Sequence, residues 1–250
     1  MKILGVLNVT SDSFYEGSRM MTEEEVLRRA RQIVDEGGDI IDIGACSTRP
    51  DSIPVDEQTE GDRLRMALEV IRKNLPQAKL SVDTFRPSLA KMVINDYHVE
   101  IINDVSGGCD EMFDVVASTG TAYVLTSNEN NLHDMLISLS AKVQQLRDRG
   151  QKDIIIDPGF GFGKDMQQNY VLLGELEKMQ VLRLPILVGV SRKSMIQKLL
   201  GISAAEALNA TTVLNTIALM KGADMLRVHD VRECKEACKI VEQINNHIQI

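Results

Sequence analysis

The chain contains 250 residues, of which 44% are hydrophobic and 26% are charged, and its 28 Lys and Arg against 36 Asp and Glu give a formal net charge of −8. This share of apolar residues excludes an intrinsically disordered chain. The acidic balance, without any run of Lys or Arg, argues against a nucleic-acid partner, because contacts of basic side chains to phosphates dominate that kind of affinity.

Eight short apolar runs predict β-strands. The runs are almost continuously hydrophobic and do not alternate with polar residues, which is typical of strands covered on both faces of a parallel sheet. In chain order the predicted strands are residues 3–7, 39–43, 79–83, 99–103, 121–126, 153–157, 185–190 and 223–228.

A segment with helical spacing of apolar residues follows each predicted strand. In the first of these segments, Val26, Ala30, Ile33 and Val34 are predicted to lie on one stripe. Thr22 with Glu25 has the spacing of a capping box. The predicted helices are residues 22–36, 57–74, 86–96, 110–118, 133–149, 168–179, 204–221 and 231–247.

Eight successive strand–helix units predict an α/β fold of the (β/α)8 or TIM barrel type. Barrels of this kind commonly take about 250 residues in one domain, so residues 1–250 are expected to form a single domain. An open, doubly wound sheet of eight strands has the same alternation of strands and helices and stays as the alternative architecture.

Polar residues cluster where the predicted strands end, which is where barrel enzymes have their active sites. Turn formation or helix capping explains any single one of them about as well as function does. Taken together, they predict a binding site. They are Asn8, Thr10, Ser47, Thr48, Arg49, Asp83, Asn103, Asp104, Asp157, Ser191, Arg192, Lys193, Arg227 and His229.

The distribution of charge in this set predicts a ligand with two parts. Asp83, Asn103 and Asp157 are suited to a flat heterocycle rich in N–H groups, because a carboxylate accepts two parallel hydrogen bonds. The cations come at the seventh and eighth strands. Arg227 and His229 are two residues apart, point to the same side and are suited to an anion such as a phosphate.

Asn8 is a candidate ligand of Mg²⁺. This ion is usually bound by few protein oxygens together with oxygens of a substrate phosphate. Mg²⁺ is therefore the cofactor that the sequence predicts.

The chain resembles the dihydropteroate synthase family from Gly5 to Val231. The resemblance implies a pterin-binding barrel enzyme of folate biosynthesis, a transferase that joins 6-hydroxymethyl-7,8-dihydropterin pyrophosphate to p-aminobenzoate and gives 7,8-dihydropteroate and pyrophosphate. Seven ordered stretches carry it: GVLNVTSDSF at 5–14, STRP at 47–50, SVDT at 81–84, IINDVSGG at 101–108, DPGFGFGK at 157–164, GVSRKS at 189–194 and RVHDV at 227–231.

The same resemblance implies roles for individual residues. Those implied to bind the pterin are Asp83, Asn103, Asp157 and Lys193. Those implied to bind the pyrophosphate are Asn8, which also holds the metal, Arg227 and His229. Those implied to bind p-aminobenzoate are Phe14, Thr48, Arg49, Pro50, Phe162 and Ser194. The residues implied to be catalytic are Asp83, Asp157, Lys193, Arg227 and His229.

One departure from the family pattern affects the pterin site. After the fifth strand the family usually has a Met-His pair, whereas this chain has Thr126, Ser127 and Asn128. Since that Met packs beside the pterin in the family, the resemblance implies a smaller and more polar wall here.

Two other functions stay open at this point. The first is a pterin-binding paralogue that has lost or changed its catalysis. The second is an enzyme that transfers a methyl group from a folate to a corrinoid protein, although that class has no use for the STRP stretch, Lys193 or the pair Arg227 and His229.

Assembly and location are also expectations from the sequence. The family implies a homodimer, and Ile240, Val241 and Ile244 of the last helix are either core or interface residues. No run of about 20 apolar residues predicts a membrane span, and the first residues become polar too early for a signal peptide. A cytoplasmic protein without a membrane partner is expected.

Overall fold

The computed structural model describes residues 1–10, 21–46 and 55–248. Within these ranges, eight parallel strands form one sheet in the order β6-β5-β4-β3-β2-β1-β8-β7. A parallel bridge between Ile156 and Ile186 joins the two ends of the sheet, and the Ile156 N–H donates to the Pro185 carbonyl at 2.9 Å. The sheet is thus a nearly closed ring. This confirms the predicted barrel and excludes the open sheet.

All eight predicted strands are present, several of them shorter than expected. Only the seventh is reduced to two residues, Leu187–Val188. The strands are β1 (Lys2–Asn8), β2 (Ile40–Gly44), β3 (Leu80–Asp83), β4 (Ile101–Asp104), β5 (Ala122–Thr126), β6 (Ile154–Asp157), β7 (Leu187–Val188) and β8 (Met225–Val228).

The helices surround the strands and agree with the predicted ones at six of eight positions. In the part of the chain that the structure describes they are α1 (Glu23–Asp35), α2 (Glu57–Asn74), α3 (Pro87–Tyr97), α4 (Asp110–Thr119), α5 (Leu132–Asp148), α6 (Met166–Gly174), α7 (Ser194–Leu200), α8 (Leu208–Met220) and α9 (Val231–Ile248).

The two deviations lie on either side of β7. The helix predicted over 168–179 ends at Gly174 and continues as a 3-10 helix, Leu176–Leu182. The helix predicted over 204–221 begins only at Leu208, and the seven-residue helix α7 precedes it. Two turns are too short for apolar periodicity to reveal a helix.

The barrel interior changes from apolar to polar along its axis. Strand side chains alternate between the interior and the helix layer. Above the apolar layer, the interior side chains are polar: Asp42 and Ser81 first, then Asp83 and Asn103 at the strand ends, all of them buried. The apolar layer consists of Leu4, Ile40, Ile101, Val124, Ile155, Leu187 and Met225.

A larger apolar cluster lies between the strands and the helices, and it includes Ile33 of α1 and Val231 of α9. No helix in the described ranges is long and apolar enough to cross a membrane.

Gly5 offers a test of the packing between β1 and the helices. A Cβ atom at this position would lie 2.9 Å from Ile33 Cγ1 and 3.1 Å from Val231 Cγ2, and both neighbours are fully buried. We therefore expect Gly5→Ala to lower the free energy of unfolding by about 1 to 3 kcal/mol, as overpacking does in other cores. Urea denaturation measures this change.

Gly174→Ala is the matched control. No atom lies within 4 Å of a Cβ at Gly174, so this substitution should leave the free energy of unfolding unchanged or raise it by up to about 1 kcal/mol. Equal stability of the two variants would contradict the packing described here.

Candidate active site

Four neighbouring strands bring predicted site residues to one level of the barrel mouth. In the register of the sheet, Asn8 pairs with Gly44, Gly44 with Asp83, and Asp83 with Asn103. A Cβ atom on Gly44 would lie 3.3 Å from Asn8 Oδ1 and 3.9 Å from Asp83 Oδ2. The lack of a side chain at Gly44 therefore leaves room for the two oxygens above it.

Arg227 of β8 forms the centre of the site. Its Nε donates to Asp42 Oδ2 at 2.6 Å and its Nη2 donates to Asp83 Oδ2 at 2.9 Å. Asp42 is 0% exposed and Asp83 is 6% exposed, so the guanidinium is bound between two buried carboxylates. Nη1 forms no hydrogen bond within the described part of the chain and is left for a ligand.

Asp42 is not among the site residues predicted from the sequence. It lies inside the apolar run of β2, between Ile41 and Ile43. A carboxylate in the middle of such a run indicates a buried ion pair, because a buried charge without a partner is too costly. The partner could not be identified from the run itself, since it lies 185 residues further along the chain.

Burial shifts the pKa values of the ionisable groups at the mouth. It raises the pKa of Asp83 to about 7, although the charge of Arg227 opposes this shift. It also raises the pKa of Asp157, against the effect of Lys193. Conversely, burial lowers the pKa of Lys193 to about 8, and the nearby Asp157 opposes it. The mouth is a weakly solvated site with charges of both signs.

The loop after β6 carries Phe162 to the same mouth. Asp157 Oδ1 accepts the Gly159 N–H at 2.7 Å. A side chain on Gly159, which has φ +70°, would collide with the Ser127 carbonyl. Lys193 Nζ donates to the Phe160 carbonyl and lies 4.4 Å from the centroid of the Phe162 ring. Ser194, the exposed first residue of α7, directly follows Lys193.

Several buried oxygens at the mouth have no hydrogen-bond partner within the described residues. They are Asp83 Oδ1, Asn103 Oδ1 and Thr126 Oγ1, on three successive strands. Buried polar groups in native proteins are nearly always paired with protein, water or ligand. These three atoms therefore indicate where a ligand with several polar groups binds.

His229 follows the last residue of β8 and is half-buried. Burial of the ring and the positive charge of Arg227 together lower the pKa of His229 to about 4. His229 is therefore not a cation of the site at neutral pH, contrary to the expectation from the sequence. Around pH 7 the ring is neutral and acts toward an anion as a hydrogen-bond donor.

Part of the predicted site lies outside the described residues. Phe14, Thr48, Arg49 and Pro50 fall in the segments 11–20 and 47–54. Of the six residues predicted to bind p-aminobenzoate, the structure places Phe162 and Ser194.

Comparisons with known proteins identify relatives over nearly the whole chain. A family model described as pterin binding enzyme matches residues 4–229. Dihydropteroate synthase of Clostridium beijerinckii is 35% identical over 97% of this chain and 93% of that protein. The enzyme of the same name from Escherichia coli K12 is 34% identical over 96% of this chain and 90% of that protein.

Solved structures give the same result. Dihydropteroate synthase of Clostridium difficile, crystallised in the presence of pteroic acid, has a TM-score of 0.91 and 31% identity, and covers 97% of this chain and 96% of its own. The Xanthomonas albilineans enzyme with 4-aminobenzoic acid has a TM-score of 0.88 and 30% identity, with coverage of 98% and 93%.

We expect Asp42→Asn to destabilise the protein. The amide keeps the shape of the side chain but removes one of the two buried charges that compensate the half-buried Arg227. Removal of one partner from a buried ion pair typically costs about 3 to 5 kcal/mol, and since Asp83 remains, we expect about 2 to 4 kcal/mol. Urea denaturation at pH 7 measures the change.

Asp62→Asn serves as the control for this measurement. Asp62 forms an ion pair with Arg65 on the surface of α2, with 57% of its side chain exposed. Its loss should change the free energy of unfolding by less than about 1 kcal/mol. An Asp42→Asn variant as stable as this control would show that Arg227 does not depend on Asp42.

The pKa of His229 predicts a pH dependence of stability. Its folded-state value of about 4 lies below its ordinary value of 6.5, so the unfolded chain binds the proton more tightly between these two values. Stability is therefore lost as the pH falls from 6.5 towards 4. Relative to His229→Gln, the wild type should lose about 2 to 3 kcal/mol between pH 7.5 and pH 4.5.

Urea denaturation of both proteins at several pH values measures this difference. His133→Gln, at an exposed position on α5, is the matched control and should follow the wild type. Parallel pH profiles of the wild type and His229→Gln would refute a neutral, buried His229.

Proposed function

This chain belongs to the family of pterin-binding enzymes, and we propose that it is a dihydropteroate synthase. It joins 6-hydroxymethyl-7,8-dihydropterin pyrophosphate to p-aminobenzoate and releases pyrophosphate. The observation that carries this proposal is the arrangement at the barrel mouth, where Arg227 lies between two buried carboxylates and unpaired oxygens of three successive strands lie beside it.

The pterin is bound by its N–H-rich edge. Asp83, Asn103 and Asp157 supply oxygens that accept these N–H groups, and the unpaired Oδ1 atoms of Asp83 and Asn103 are satisfied when the ring binds. Lys193 Nζ, next to Asp157 and the Phe162 ring, donates to an oxygen or nitrogen of the ligand. Such a site rejects rings without these groups, because its own buried polar atoms would then stay unpaired.

In the reaction, the bond between the pterin methylene carbon and the pyrophosphate oxygen breaks, and its electron pair leaves with the pyrophosphate. The positive charge left on the methylene carbon is delocalised into the pterin ring, where the carboxylates of Asp83 and Asp157 stabilise it. The amine nitrogen of p-aminobenzoate then forms the new C–N bond and loses a proton. No nucleophilic side chain is required.

The leaving group is stabilised by hydrogen-bond donors on β8 and directly after it. Arg227 binds Asp42 and Asp83 through Nε and Nη2, so its Nη1 is available to donate to the leaving group. The neutral ring of His229 has one N–H that can donate as well. Both lie on the rim that also carries Asn8, so the pyrophosphate is bound at the side of the mouth formed by β1 and β8.

Asn8 is the residue that would hold Mg²⁺. Its Oδ1 lies above Gly44, where no Cβ blocks the approach, and its side chain is exposed. A single neutral oxygen from the protein is suitable for Mg²⁺, because this ion is mostly coordinated by water and by oxygens of substrate phosphates. When bound, Mg²⁺ would neutralise charge that develops on the leaving pyrophosphate.

Thr126 gives the pterin pocket a polar wall. It is 1% exposed and pairs in register with Asp157, and its hydroxyl has no hydrogen-bond partner among the residues that the structure describes. It is the first of the three residues, Thr126, Ser127 and Asn128, that this chain has in place of the family's Met-His pair. A paralogue that binds pterin without forming product stays the second candidate, and this polar wall is the feature that favours it.

We propose a homodimer on the basis of one apolar surface. Val213, Ile217 and Met220 of α8 are exposed, as are Ile240 and Ile244 of α9, which packs against α8. Val241 is fully buried and belongs to the core. The cytoplasmic location expected from the sequence stays a prediction.

The proposal is tested with the purified protein, Mg²⁺, the pterin pyrophosphate and p-aminobenzoate. We expect formation of dihydropteroate and release of equimolar pyrophosphate, measured by chromatography. Pterin binding in calorimetry without any product above a boiled control would favour the paralogue, and absence of both would refute the proposal.

A matched pair of variants locates the pterin site. Asp157→Asn should weaken pterin binding by roughly 10- to 100-fold, because a hydrogen bond to a charged group is lost in a buried pocket. Asp153→Asn alters an exposed residue directly before the same strand and should bind pterin like the wild type. Equal affinity of the two variants in calorimetry would place the pterin elsewhere.

A further inference from the structure

Ser191 and Arg29 hold His229 from several sides. Ser191 Oγ lies 3.0 Å from the ring Nδ1 of His229, and the backbone N–H of His229 donates to the same Oγ at 3.2 Å. The backbone carbonyl of His229 accepts from Arg29 Nη2 at 2.6 Å. Both the backbone and one edge of the ring are therefore anchored by residues of other elements.

The contact between Ser191 Oγ and His229 Nδ1 bears on which ring nitrogen carries the proton. Ser191 is 5% exposed, and its oxygen already accepts the backbone N–H of His229. Within the described residues, the acceptor left for the Ser191 hydroxyl proton is His229 Nδ1. A neutral imidazole has one N–H and one bare nitrogen, so a bare Nδ1 leaves the proton on Nε2.

Asp230 does not compete for this ring nitrogen. Its two carboxylate oxygens accept from Arg192, with Nε to Oδ2 at 2.8 Å and Nη2 to Oδ1 at 2.6 Å. A carboxylate partner at Nδ1 would favour a positively charged imidazolium, as in catalytic triads. A hydroxyl partner leaves the ring neutral, in agreement with the lowered pKa of His229.

We propose that Ser191 is a positioning residue that keeps the proton of His229 on Nε2 and aims this N–H at the leaving pyrophosphate. The inference rests on the proposed function. Ser191 itself does not contact the substrate. His229 thus donates a hydrogen bond to the leaving oxygens without giving up its proton, since a neutral imidazole is a very weak acid.

The protonation of the ring is measured directly in the wild type. In protein labelled with ¹⁵N, we expect a protonated Nε2 and a bare, hydrogen-bonded Nδ1 for His229 at pH 7, with the signals assigned by their loss in His229→Gln. Addition of inorganic pyrophosphate with Mg²⁺ should shift the Nε2 signal. A proton on Nδ1 in the wild type would overturn the inference, whatever any variant does.

Ser191→Ala tests the anchoring. Calorimetry with inorganic pyrophosphate and Mg²⁺ should give an affinity about five- to tenfold lower than that of the wild type, the usual effect of one lost hydrogen bond. The affinity for a pterin that lacks the pyrophosphate should stay unchanged. A merely structural role of Ser191 would weaken both affinities or neither, and would overturn the inference.

Ser203→Ala is the matched control. Its hydroxyl donates to Glu206 at an exposed turn before α8, so its loss should leave both affinities unchanged. Should Ser191→Ala fail to fold, the ring signals of the wild type still decide the question. A wild type that binds no pyrophosphate would contradict the proposed function, whereas one that binds it with the proton on Nδ1 would contradict only the role of Ser191.

Discussion

The site depends on the buried contact of Arg227 with Asp42 and Asp83. Two buried carboxylates below the barrel mouth would repel each other without a cation between them. Since β2, β3 and β8 each contribute one group, the contact forms only when these strands lie side by side around β1 in the sheet. It fixes the orientation of Asp83 and leaves one guanidinium nitrogen for the ligand.

Burial then gives each group at the mouth its chemical character. It raises the pKa of Asp83 and lowers the pKa values of Lys193 and His229. The result is a set of acceptors on β3, β4 and β6 and a set of donors on and after β8. Catalysis by charge stabilisation needs such preorganised groups and no nucleophile.

Most of the fold could be predicted from the sequence, because strands buried on both faces are almost continuously apolar and amphipathic helices repeat every 3.6 residues. The prediction was wrong around β7, where two strand residues, a 3-10 helix and the seven-residue helix α7 are too short to show either period. The carboxyl ends of parallel strands all lie at one rim of the barrel, so residues at these ends could be predicted to form a site. These residues are Asp83, Asn103, Asp157, Lys193 and Arg227.

Local periodicity and residue type are enough to predict the barrel, the rim and the kinds of side chain on the rim. Which charged groups are paired and which are neutral depends on the folded chain. Asp42 pairs with a residue 185 positions away, and the pKa of His229 is lowered by its burial and by the nearby charge of Arg227. Both effects arise from neighbours in space, which a single sequence does not specify.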